Sequence, residues 1–254
     1  MHDADLVVPE ERAGDALAVV DRMGGLRTTY GFGRRTSLRL HHGVNLESER
    51  GLGLDLHWHV LQQACFPGAD EPFWRDLREF DCHGRSVRTT SAACALFVTC
   101  VHGALAAEGP LLRWVPDAMA ILSADQDLCW DDLVSLAGRF RLTLVLEATL
   151  RILSDEFQAP IPMQVFRALE AVPVARSEVR YLESLRDTRR GLLAPARRYW
   201  ADFWMRHGRE RGIPAALPLF APYLSDRIGT TSSRLPWYVL RRLARGHHEP
   251  PVTP

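Results

Sequence analysis

Lysine is missing altogether: all 31 side chains counted as Lys or Arg are arginine. That excludes Schiff-base chemistry, a lysine general base and the lysine of a P-loop. Paired cysteines are missing too. The five cysteines (Cys65, Cys82, Cys94, Cys100 and Cys129) are odd in number and form no C-x-x-C. Cys94 and Cys100 fall in an apolar helical run, so the expectation is reduced core cysteines in a cytoplasmic protein. No uninterrupted apolar run reaches the ~20 residues of a membrane span. The start carries Asp3 and Asp5 rather than a basic stretch before an apolar one, so no secretory leader is expected. Charge excess is absent as well, with 31 basic against 31 acidic residues. No global field therefore recommends nucleic acid or an anionic membrane as the main partner. There is no G-x-S-x-G and no exposed-looking cysteine beside a base, so nucleophilic triads find no support.

What is present is an ordinary globular composition, 46% hydrophobic and 24% charged over 254 residues, enough for one large domain or two small ones. The first ninety residues alternate short strand-like runs with one helix. "DADLVVP" reads as a strand and "EERAGDALAVVDRMGG" as a helix with a glycine stop. "SLRLHH", "GVNLESE" and "LGLDLHWHV" read as strands. In the last, Leu52, Leu54, Leu56, Trp58 and Val60 alternate with Asp55, His57 and His59, which predicts one buried and one polar face. "REFDCHGRSVRT" reads as a hairpin turning at His83-Gly84. From Ser91 onward the pattern changes to long helices. The predicted architecture is α+β: a mixed β-sheet with flanking helices over residues 1–89, a helical domain over 90–160, and an arginine-rich helical region over 161–254.

Asp3 and Asp5 raise the first chemical question. At i and i+2 on a strand they share a face, about 6.5–7 Å apart along the chain. Two carboxylates there repel unless a cation lies between them, and oxygen ligands suit Mg²⁺. Asp55, on the polar face of a well-formed strand, is the available third acid for a two-metal site. A plain polar surface pair is the alternative.

The order DADLVVP, a helix ending in MGG, LHHGVNLE and LDLHWHV resembles the uncharacterised nucleotidyltransferase family of the DNA polymerase β superfamily. "GRSVRTTSAACALFVTCVHGALAA", "LLRWVPDAMAIL" and "LCWDDLVSLAGRF" continue the resemblance, which covers roughly residues 3–160. It implies a nucleotidyltransferase-type mixed sheet, and transfer of a nucleoside monophosphate from an NTP to an acceptor with two Mg²⁺ ions. Asp3 and Asp5 match the family's D-x-D metal ligands, and Asp55 its third carboxylate. His102 and the Arg113-Trp114-Asp117 group match its helical signature. The acceptor is open: a small molecule, an RNA, a protein or a peptide. In the superfamily a helix and a glycine-rich turn precede the D-x-D strand, whereas here only Met1 and His2 do. The expectation is a domain lacking that segment. The alternative to an enzyme is then an inactive remnant or partner subunit acting as an interaction module. An uncovered sheet edge would pair with a partner chain or with itself.

Other residues carry competing readings. His41, His42, His57 and His59 could join Asp55 in a two-His-one-carboxylate site for Zn²⁺ or Fe²⁺; they could also line a polar sheet face or the substrate side of the nucleotide site. His57 and His59 can face the cleft together, whereas His41 and His42 point oppositely. Arg34 and Arg35, in a turn, could grip phosphates or simply be solvated. His102 is either a core histidine or a functional one. Arg113 and Asp117, at i and i+4, fit a helix-surface ion pair as well as a phosphate or base contact by Arg113. Residues 176–211 hold ten arginines against five acids, with Tyr199, Trp200, Phe203 and Trp204 interleaved. That pattern fits a solvated face over a core, or a docking surface.

Overall fold

The computed structural model describes residues 3–28, 38–51, 53–105, 112–124, 128–186, 194–208, 212–228, 230–235 and 237. It is α+β, and its chain divides into two units, residues 1–67 with 179–254, and residues 68–178. The expected segments do not coincide with these units. The hairpin after residue 77 falls in the second unit, and the helices from Val179 onward fall in the first.

The first unit is built on a four-stranded mixed sheet of order β1-β4-β3-β2. Its strands are β1 (Asp3–Val7), β2 (Leu26–Thr28), β3 (Gly43–Ser48) and β4 (Gly53–His57). β1 runs parallel to β4; β3 is antiparallel to both β4 and β2. The parallel pair needs a long crossover, and α1 (Ala13–Met23) lies within it. Ala13, Ala16, Leu17 and Val20 recur at helical spacing and pack on Val44, Leu46, Leu54 and Leu56 of the sheet. Gly24, at φ 65°, ends the helix where a side chain would be strained. The opposite sheet face is polar: Asn45 and Glu47 are exposed while Val44 and Leu46 are buried.

Two strand expectations are corrected. "SLRLHH" is helical over residues 38–40, not extended. The turn lets Leu38 join the sheet core while Leu40 enters a second cluster with Phe203, Ala216 and Tyr223. β4 ends at His57, because the chain bends over residues 58–60. Both Trp58 N–H and His59 N–H donate to the His42 carbonyl, at 2.8 and 3.0 Å. The Trp58 indole N–H is shared between the carbonyls of Leu38 (3.1 Å) and His41 (2.7 Å). His59 is thereby turned inward, to 3% exposure, and leaves the polar face that simple alternation assigned to it.

The C-terminal helices of this unit surround a buried ionic cluster. They comprise the end of α8 (Arg176–Arg186), α9 (Ala194–Phe203), a π-helical turn Trp204–Gly208, and α10 (Gly212–Arg227). Asp202 pairs with Arg206 at 3.0 Å and Arg227 at 3.3 Å, and accepts the Tyr223 hydroxyl. Trp200, Phe203, Trp204 and Phe220 pack together here, so three of the interleaved aromatics, Trp200, Phe203 and Trp204, belong to the core. α10 lies within the region expected to be helical, although Pro218 and Pro222 interrupt its sequence. The carbonyls left without an N–H donor are those four residues earlier, at Pro214 and Pro218, and both residues are exposed, which lowers the cost. Of the expected helical region, the stretch "LPWYVLRRLARG" lies almost entirely outside the described residues.

The second unit holds α2 (Glu71–Arg75), the hairpin β5 (Arg78–Cys82) and β6 (Arg85–Thr89), and helices α3 (Ala92–Leu105), α4 (Trp114–Ala124), α5 (Trp130–Phe140), α6 (Thr143–Phe157) and α7 (Met163–Ala171). The hairpin turns at His83-Gly84 with both residues at positive φ, the geometry that matches strand twist. α3 is the central helix, burying Cys94, Leu96, Phe97, Cys100 and Val101. Its Gly103 lies under Trp114: an added Cβ would come 2.0 Å from the indole Cγ. The V-H-G and R-W pieces of the helical signature thus meet as a packing contact.

Glu178 is fully buried, and its Oε1 accepts the Leu144 N–H at 2.6 Å at the start of α6. Its Oε2 has no partner. Burial raises its pKa, against the N–H groups of Leu144 and Val145, which lower it. A raised folded value means that the native state holds a proton the unfolded state has released. Stability therefore falls as pH rises from the ordinary carboxylate value of about 4.3 through the raised one. Glu178→Gln is expected to flatten that fall, read as melting temperature against pH from 4 to 8. An unchanged slope would refute it.

Candidate metal centre

The polar face of the first sheet gathers its acids by register. β1 lies parallel against β4 with Asp5 opposite Asp55, and β3 lies antiparallel with Asn45 opposite Asp55. Asp5, Asp55 and His57 offer ligand atoms within 4.8 Å of one another. Asp5 is largely exposed, with Asp55 and His57 half-buried behind it. His57 Nε2 lies 3.2 Å from Asp5 Oδ1, and Asn45 Nδ2 donates to Asp55 Oδ2 at 3.4 Å. Each carboxylate is thus steadied by a neighbouring N–H, which is how proteins orient metal ligands. Two carboxylates converging on one open face fit a divalent cation with oxygen preference.

Asp3 belongs to the same strand, opposite Gly53; its side chain lies outside the described residues. Arg34 and Arg35 also lie outside them. His59 is buried and is not part of the Asp5–Asp55–His57 group. His41 pairs with Asp226 instead. His42 is held well below its ordinary pKa, by burial first and then by the charges of His57, Arg206, His41 and His59, so it is neutral. Of the four histidines, His57 is the one whose ring joins Asp5 and Asp55 within ligand distance.

His102 and Arg113 belong to the second unit, and both are exposed. The core-histidine reading of His102 is thereby overturned: on an apolar helix it occupies the outward side. Among the described residues no ion pair joins Arg113 to Asp117. The cysteines form no disulfide, and burial pushes the Cys100 thiol up to about 12, removing it as a nucleophile.

Asn45 was not singled out as a site residue. The signal was available in "GVNLES", where Asn45 alternates with Val44 and Leu46, but which strand it would face was not. No helix among the described residues is long and apolar enough to cross a membrane.

A family model described as an uncharacterised nucleotidyltransferase matches residues 1–158. No curated protein and no solved structure matches the chain. The match takes in more than half of the 254 residues, including the whole Asp5–Asp55 face, and the chain belongs to the uncharacterised nucleotidyltransferase family.

Proposed function

We propose that this protein transfers a nucleoside monophosphate from an NTP to an acceptor hydroxyl, using Asp3, Asp5 and Asp55 to hold two Mg²⁺ ions. The observation that carries the reading is the parallel register that sets Asp5 opposite Asp55 on an open polar face, together with membership of the family. Bound Mg²⁺ would neutralise the triphosphate and polarise the reacting oxygens. The chain's own residues do the rest. Asp5 and Asp55 orient the cations, His57 and Asn45 steady the two carboxylates, and Asp55 takes the proton of the acceptor hydroxyl. The acceptor oxygen bonds to the α-phosphorus, the bond from that phosphorus to the bridging oxygen breaks, and pyrophosphate leaves.

A second reading, a protein-interaction module without catalysis, is favoured by β1. Among the described residues no strand pairs with its outer side, and Leu6 is 50% exposed on it. Such an edge invites a partner strand. Titration calorimetry of the chain with a non-hydrolysable NTP, with and without Mg²⁺, separates the two. Saturable binding that requires Mg²⁺ is expected. A folded chain that binds no nucleotide would leave the interaction module.

A further inference from the structure

We propose that Asp226, near the C-terminal end of α10, is a positioning residue for the candidate metal centre, acting through His41 and the segment that carries the His42 ring against His57. The inference rests on the metal-site reading above. It adds a control on that site from a residue beyond the family match, which ends at residue 158. All of the residues involved belong to the first unit. The place of the His57 ring follows from residues 42 and 43. A Cβ added at Gly43 would come 2.6 Å from His57 Nδ1, so the β3 backbone lies directly against the ring. The His42 ring lies 5.1 Å from it, centroid to centroid, tilted by 36°. The chain just after His57 is tied to the same segment. The carbonyls of Leu38 and His41 share the Trp58 indole N–H, and the His42 carbonyl accepts the Trp58 and His59 N–H groups. The ring and residues 38–42 therefore move together.

Two contacts hold that segment from the C-terminal helices. Leu40 is buried with Phe203, Ala216 and Tyr223, an apolar contact that sets depth without direction. The pairing of His41 Nε2 with Asp226 Oδ2 supplies the direction. Among the described residues the Asp226 carboxylate pairs with no other group. α10 itself is anchored, because the Tyr223 hydroxyl and Arg227 both donate to Asp202. The two side chains of the pair are 16% and 30% exposed, and one such partly solvated pair contributes little to stability. Its geometry is nonetheless specific, so Asp226 suits orienting better than folding. Packed and hydrogen-bonded groups run without a gap from Asp226 through His41, His42 and His57 to Asp5. Such contiguous groups can carry coupling between distant residues.

Asp226→Ala is expected to weaken Mg²⁺-dependent binding of a non-hydrolysable NTP by roughly 10-fold, while the metal-free melting temperature falls by under about 4 °C. Asp226→Asn, whose amide oxygen still accepts from His41, should keep binding within about threefold. Two further readouts separate positioning from plain structure. In the metal-free chain the His57 ring resonances, assigned with His57→Phe, are expected to shift in the Ala variant and to stay in place in the Asn variant. In a His57→Phe background, Asp226→Ala should cost nothing more, because the N–H it positions is gone. Unmoved His57 resonances in the Ala variant overturn the proposal. So does an additive loss in the Phe background, an Asn variant as weak as the Ala variant, or an Ala variant that does not fold. Failure of the wild type to bind nucleotide with Mg²⁺ overturns the metal-site reading and this inference with it, a result distinct from unmoved resonances in a chain that binds.

Discussion

The Asp5→Asn, Asp55→Asn double variant is expected to lose Mg²⁺-dependent nucleotide binding by on the order of 100-fold or more while remaining as stable as the wild type without metal. The two carboxylates face each other in register on neighbouring strands. Like charges directly opposite in a sheet are destabilising, by roughly 0.2–1 kcal/mol. Asparagine removes that repulsion, and its amide oxygen can still accept from His57 Nε2. In metal-free buffer the variant should therefore melt at or slightly above the wild-type temperature. With Mg²⁺ the order reverses. Wild type gains stability with ion concentration, because a ligand that binds only the folded state raises the melting temperature, and the variant gains none. A variant whose melting temperature still climbs with Mg²⁺ would place the cation elsewhere.

The second large effect is expected at Asp202. Arg206 is buried to 3% exposure and Asp202 is its nearest counter-charge. Removing one partner of a buried pair strands the other charge, at a cost of about 3–5 kcal/mol. Asp202→Asn is thus expected to lower the melting temperature of the first unit by on the order of 10–20 °C. Replacing both partners, Asp202→Leu with Arg206→Met, should recover part of the loss, since no charge is left buried alone. The pH dependence carries the same signature. Burial would raise the Asp202 pKa, but the charges of Arg206 and Arg227 and the Tyr223 hydroxyl outweigh it and hold the carboxyl below its ordinary value. The native carboxylate therefore contributes fully above the unfolded value of about 3.9, and the contribution is lost as pH falls through the depressed folded value. Wild type and Asp202→Asn should differ most at neutral pH and converge in acid. A difference of under about 2 °C at pH 7 would show that the cluster adds nothing net.

The C-terminal helices, which lie beyond the family match, are also tied to the chain that leaves β4. Arg206 O accepts the Cys65 N–H at 3.0 Å, His207 Nδ1 lies 3.1 Å from Cys65 O, and Gln63 reaches the Tyr181 hydroxyl at 3.4 Å. The chain leaving β4 is thus bound to residues more than a hundred positions later. Local periodicity carries no trace of this, because the partners are polar groups scattered through helices whose apolar faces suffice to predict them as helices.

The sequence by itself determined the elements with strong local signals. These are the D-x-D strand, the alternating Leu54-Asp55-Leu56-His57 run, the helix before Gly24, the His83-Gly84 hairpin, the apolar helices from Ala92 onward, and the family. Each rests on a period of two or 3.6 residues, or on a turn that requires positive φ, and such signals need no knowledge of distant chain. Only the tertiary structure decided which strands are neighbours, and hence that Asp5 meets Asp55 while Asn45 and His57 steady them. It also decided that alternation fails at His59, next to Trp58, whose indole N–H donates to the carbonyls of Leu38 and His41. Making those bonds bends the strand and takes His59 out of the site. Strand register and buried polar pairing are contacts between segments far apart in the chain, and residues elsewhere in the fold choose between alternatives that look equal locally.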